Sequence, residues 1–183
     1  MGRRRKEKNL ILIFLDFVIT LNILSIPLFI IITFELELSL LKNFEALVTF
    51  FILKIMGVNA YVVENVLFVY DKIYEVSWDS TGWKSLYTFF ALVVSTPIFF
   101  KRKIIPLIIG LLSIFLFNIV RIVTTIYLSS KGILPFDLLH LSLWRWGLIG
   151  FLLSIWFIFL YTQKNNIGET KNILGFIYGR RKH

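Results

Sequence analysis

The sequence predicts an all-α integral membrane protein: four transmembrane helices, an amphipathic interfacial helix and a small extracellular strand-like segment. Three observations carry that expectation. Hydrophobic residues make up 57% of the 183-residue chain and charged residues 17%, with a mean hydropathy of +0.80. A water-soluble chain of this size needs more polar surface than that, so bilayer is its natural solvent. Apolar runs long enough to cross a hydrocarbon core of about 30 Å recur along the chain. Lys and Arg gather beside those runs.

The first run, Leu10–Phe34, follows a basic N-terminus. It is too long for a signal-peptide core and lacks a small-residue cleavage site, so it reads as an uncleaved span. Asp16 falls within about two turns of its start, as an interface residue or a partner of the basic N-terminus. Glu35–Gly57 differs. Glu35, Ser39, Lys42, Glu45 and Thr49 form a polar stripe, with Leu36, Leu40, Phe44, Leu47 and Phe51 opposite. That pattern suits a helix lying in the interface or one lining a polar site. From Val58 to Asp79, β-branched and aromatic residues with turns at Glu64-Asn65 and Asp71-Lys72 predict a small hairpin. Three further spans follow, Trp83–Phe100, Ile104–Leu128 and Leu141–Gln163, with Pro97 and Pro106 expected to kink their helices. Trp144, Arg145 and Trp146 read as an interfacial belt and anchor. Residues 1–163 then form one membrane-embedded domain and 164–183 a basic cytoplasmic tail.

Charge placement sets the topology. Of the 20 Lys and Arg, five lie in Arg3–Lys8, three in Lys101–Lys103 and five in Lys164–Lys182. With Arg3–Lys8 inside and Glu35–Gly57 flat on the outer face, four crossings place all three clusters in the cytoplasm, as the positive-inside rule requires. Were Glu35–Gly57 to span, Lys101–Lys103 would be pushed outside. The expected protein is therefore a multi-pass protein of the cell membrane with both termini cytoplasmic. The net charge of +9 does not indicate nucleic acid, because no basic surface is interleaved with aromatics. With no cysteine and two histidines, one in the tail, no metal site is expected. No cofactor is called for.

Arg121 stands out. An arginine inside an apolar helix costs several kcal/mol unless it faces protein or water, and so marks function or a structural ion pair. Asn118, Arg121 and Thr125 share one helical face. His140 precedes the last span on the same side of the membrane. Asp79-Ser80-Thr81-Gly82-Trp83-Lys84-Ser85 opens the second span. There Asp79 or Ser80 could be an N-cap, or the helix N-terminus could favour a nucleophile or oxyanion. Composition alone leaves both readings open.

Ser80-Thr-Gly-Trp-Lys-Ser85, Asn118-Ile-Val-Arg121-Ile122, and His140 before Leu-Ser-Leu-Trp together resemble the archaeosortase/exosortase family. That family carries Cys-Thr/Ser-Gly, then Asn-x-x-Arg, then His on successive membrane segments. The resemblance covers roughly Glu45 to Gly147. It implies a protein-sorting transpeptidase or protease at the outer membrane face. Its partners would be C-terminal sorting signals of membrane-anchored surface proteins, with a membrane lipid as acceptor. The roles it implies are nucleophile at position 80, activation or transition-state stabilisation at Arg121, and general acid/base at His140. Asn118, Thr81, Gly82 and Lys84 would support them, Lys84 as a rival base.

One position departs from the family: residue 80 is Ser80, not cysteine. A hydroxyl needs a well-placed base where a thiol does not. An engineered inactive variant, a natural serine form and a degenerate non-catalytic member all fit, and the near-isosteric swap favours the first. The alternatives are a substrate-binding pseudoenzyme or membrane scaffold, and a small transporter, which no inverted repeat supports.

Overall fold

The computed structural model describes residues 2–136, 138–139, 146–164 and 167, with side chains described from residue 11 onward. Within them the chain is mostly helical, with one small sheet. The elements are α1 (Gly2–Thr33), α2 (Ser39–Ile55), β1 (Ala60–Val63), β2 (Val66–Val69), β3 (Lys72–Glu75), a 3-10 turn (Trp78–Thr81), α3 (Trp83–Ser95), α4 (Phe100–Ser130) and α5 (Leu148–Gln163).

Among the described residues, two helices are long and apolar enough to cross a membrane, Ile11–Thr33 within α1 and Phe100–Ser130. The expected span Trp83–Phe100 is not one helix. Pro97 ends it instead of kinking it: the residue before a proline is driven from the α region, and Thr96 is extended at φ −63°, ψ 126°. The 13 residues of α3 reach only about 20 Å. The fourth helix begins at Phe100, four residues before the expected Ile104, and carries Pro106 near its start.

The strand-like stretch is also richer than a hairpin. Three antiparallel strands pair in the order β1-β2-β3, with Ala60 opposite Val69 and Val66 opposite Glu75. Glu64-Asn65 turns as expected, whereas the second turn is Tyr70-Asp71, one residue early. Glu64 and Tyr70 take positive φ there.

Two apolar clusters organise the packing. One joins α2, the sheet and the C-terminal half of α4 through Leu53, Leu67, Val69, Ile119 and Ile126. The other joins α3, the N-terminal half of α4 and α5 through Phe89, Ile114, Leu148 and Leu152. In the second, α4 comes close to Phe89 because Gly110 has no side chain; a Cβ there would lie 2.2 Å from the ring. Helix α1 packs outside these clusters, its Leu24 carbonyl accepting from Tyr87 Oη at 2.7 Å and Phe17 stacking on Trp156.

Candidate active site

Helix α2 turns the C-terminal part of its polar stripe inward, while Glu35 and Ser39 stay exposed and Lys42 pairs with Glu37. Glu45 and Thr49 are fully buried, whereas Leu40, Phe44, Leu47 and Phe51 are exposed. Of the two expectations for this helix, lining a polar site describes its inner face. The outer face is apolar and largely exposed, with Phe44 stacked on Phe115, and suits lipid.

Opposite that stripe, α4 offers Asn118, Arg121 and Thr125, all buried. The 3-10 turn enters between the two helices and brings Ser80 with it. Arg121 Nη2 donates to the Ser80 carbonyl at 2.8 Å, and Asn118 Nδ2 donates to the same oxygen at 3.1 Å. The Asn118 amino group also donates to Glu45 Oε2 at 3.1 Å. Two segments far apart in sequence thus meet at one carbonyl, and a third, α2, joins them through Asn118. Burial pushes the Glu45 carboxyl up to about 8, against the pull of the Arg121 guanidinium and the Asn118 hydrogen bond.

The turn itself is tightly specified. Thr81 Oγ1 donates to the Trp78 carbonyl at 2.9 Å, and Ser80 N donates to the Ser77 carbonyl at 2.9 Å. Trp78 and Trp83 stack across the turn, their ring centroids 5.1 Å apart. Gly82 is left-handed at φ +68°, and a Cβ on it would come within 2.9 Å of Asn118 Oδ1. Glycine is demanded twice over, by backbone conformation and by that contact. The residue is also the N-cap of α3, a position neither Asp79 nor Ser80 occupies.

The Ser80 hydroxyl shares a 2.7 Å hydrogen bond with Ser77 Oγ. Beside Ser80 lies a small apolar cavity of about 30 Å³, lined among others by Tyr74, Val76, Ile122, Thr125 and Phe136. Lys84 pairs with Asp79 at 2.7 Å, at the mouth of a separate cleft. The structure therefore brings together Ser80, Thr81, Gly82, Asn118 and Arg121 and sets Lys84 on Asp79. His140 lies outside the described residues, as do Asp137, Trp144 and Arg145. Glu45 and Ser77 were not among the expected site residues. Glu45 had a signal, its place in the α2 stripe; Ser77 had none beyond standing three residues before Ser80.

A family model described as transmembrane exosortase (Exosortase_EpsH) matches residues 9–161, from α1 into α5. No curated protein and no solved structure matches the chain. The chain belongs to the transmembrane exosortase family, membrane-embedded sorting transpeptidases that act on C-terminal sorting signals of substrate proteins.

Proposed function

We propose that this protein cleaves the C-terminal sorting signal of surface proteins by acyl transfer at residue 80, on the outer face of the membrane. What carries the reading is the double hold of Arg121 and Asn118 on the Ser80 carbonyl. A buried guanidinium anchored at the main chain of residue 80 is a cation next to the attacking residue, where a substrate oxyanion would need stabilising.

In the active form a thiolate at residue 80 attacks the scissile carbonyl, and the tetrahedral oxyanion forms in a water-poor pocket beside Arg121. The carbon–nitrogen bond then breaks. His140 gives the leaving amine its proton, and the substrate's N-terminal portion stays on sulfur as a thioester. An incoming amine, deprotonated by His140, attacks the thioester and releases the thiolate. A lipid-headgroup amine as acceptor gives transpeptidation; water gives proteolysis. The apolar wall beside Ser80, formed by Val76, Ile122 and Ile126, would favour an aliphatic over a charged substrate residue there.

Topology follows from the charges. Four crossings, at 10–34, 83–100, 104–128 and 141–163, keep Arg3–Lys8, Lys101–Lys103 and the 164–183 tail in the cytoplasm, with α2 in the outer interface. Lys103 lies within electrostatic range of Asp16, at the end of the bundle away from Ser80, which supports a common cytoplasmic end for α1 and α4. The short α3 is completed as a crossing by the extended residues around Pro97.

One observation favours a second reading. Residue 80 is a serine where the family carries cysteine, and among the described residues its Oγ meets another hydroxyl, as suits a substrate-binding pseudoenzyme. Comparing this chain with Ser80→Cys on a membrane-embedded peptide bearing a sorting signal separates the two. Cleavage by Ser80→Cys that disappears with Arg121→Ala or His140→Ala is the expected result. If both forms stay inert on substrates from the same genome, the pseudoenzyme reading prevails.

A further inference from the structure

We propose that Glu45 is a positioning residue, holding Asn118 and Arg121 in the arrangement that orients residue 80. The inference rests on the acyl-transfer reading and adds to it a residue from a fourth stretch of chain.

Glu45 is 0% exposed, on a helix whose other face is apolar. Burying a carboxyl is costly unless something holds it, and here Asn118 does. The Asn118 amide has two amino hydrogens and one carbonyl oxygen. One hydrogen goes to Glu45 Oε2 and the other to the Ser80 carbonyl, while Oδ1 is turned to Gly82. Two acceptors, the carboxyl and the Ser80 carbonyl, hold the amide with its amino group towards both. Were the carboxyl acceptor removed, one of these two hydrogen bonds would be lost and the amide would be held less firmly against the Ser80 carbonyl. A carboxyl oxygen accepts in either protonation state, so the hold survives titration. Glu45 also lies within electrostatic range of Arg121, the second donor to the same carbonyl. One side chain thus touches or faces both groups that fix the main chain of residue 80.

The connection is also mechanical. Helix α2 packs on the 3-10 turn and on α4, and Glu45 links α2 to α4 through Asn118, which in turn holds Ser80 of the turn. Thr49, one turn further along the same face, is equally buried and continues the polar contact surface.

The test uses the full chain in lipid with Ser80→Cys, which introduces a single thiol because the sequence has none. Glu45→Met keeps the length and removes the acceptor; Glu45→Gln keeps an acceptor and removes the charge. Expected with Glu45→Met is a fall in kcat on the order of 10- to 100-fold, with KM within about threefold, and recovery of most of that loss in Glu45→Gln. The rate and pH profile of alkylation of the residue-80 thiol by a small maleimide should shift with Met and return towards the parent with Gln.

Parental turnover in Glu45→Met overturns the inference and leaves acyl transfer standing. If the Ser80→Cys parent cleaves nothing, acyl transfer fails, and the alkylation profile still judges Glu45: an unchanged profile in Glu45→Met overturns its positioning role. Should Glu45→Met fail to insert, a double-mutant cycle of Glu45→Ala, which also removes the acceptor, with Asn118→Ala decides. Losses that do not multiply support action through Asn118, and losses that multiply contradict it.

Discussion

Helix α4 buries two cations, and they have opposite meanings. Arg121 is 3% exposed and Lys103 is 7% exposed, so burial alone does not separate them. Lys103 donates to the Val94 carbonyl across the bend between α3 and α4, nine residues away in sequence, and faces Asp16. It closes a connection. Arg121 reaches the carbonyl of Ser80, 41 residues away, beside a cavity and a second donor from its own helix face. On the function proposed above, the difference teaches that a buried charge in an apolar helix points to function when it holds a distant turn at a cavity, and to architecture when it ties neighbouring residues.

Substitutions at the two ends should break or sharpen that contrast. The largest effect is expected for Arg121→Ala in the Ser80→Cys chain: turnover falling roughly 100- to 1,000-fold, the range for loss of an oxyanion-stabilising donor. Single-turnover cleavage of a sorting-signal peptide measures it. Gly82→Ala comes next. It strains a left-handed residue by about 1–2 kcal/mol and drives a methyl into Asn118. Activity and thermal stability should drop together, read as turnover and as the melting midpoint in detergent.

At the other end, Gly110→Ala presses on Phe89, which is fully buried and has nowhere to go. An overpacking cost of about 1–3 kcal/mol should lower the melting midpoint, while turnover of the molecules that remain folded stays at the parental value. Activity lost in proportion beyond the folded fraction would join the two ends that the comparison holds apart.

Glu45 gives a smaller effect that depends on pH. Its folded carboxyl stands at about 8 against an ordinary 4.5. Between those values the folded chain keeps a proton that the unfolded chain has released, so stability declines as pH rises through that window. Melting midpoints from pH 5 to 8 should show a slope that Glu45→Gln flattens. The smallest effect belongs to Lys103→Met: turnover within about twofold of the parent, as for a site remote from residue 80.

Much of this was legible in the sequence because lipid makes polar residues conspicuous. Arg121 and Asn118 could be found by their spacing inside an apolar run, and the α2 stripe showed a helix with a polar face to satisfy. The bilayer-dictated outline, helical and apolar with basic flanks, was equally visible. What failed was local. Pro97 was read as a kink, but the steric demand it places on Thr96 ends α3 outright. Lys72 was placed in a turn and instead opens β3, since short strands of mixed pattern do not fix their own register. Glu45 was seen as part of a stripe and not as a site member, because nothing along the chain says which α2 residue meets Asn118; that is settled by how α2 crosses α4.

Mass analysis of the Ser80→Cys chain after incubation with a membrane-embedded sorting-signal peptide tests residue 80 as nucleophile most directly. Expected is an adduct on the residue-80 thiol equal in mass to the acyl portion of the substrate, with release of the C-terminal fragment and loss of both in the presence of Arg121→Ala. Cleavage that proceeds with no adduct at residue 80, or with an adduct on Lys84, would contradict it.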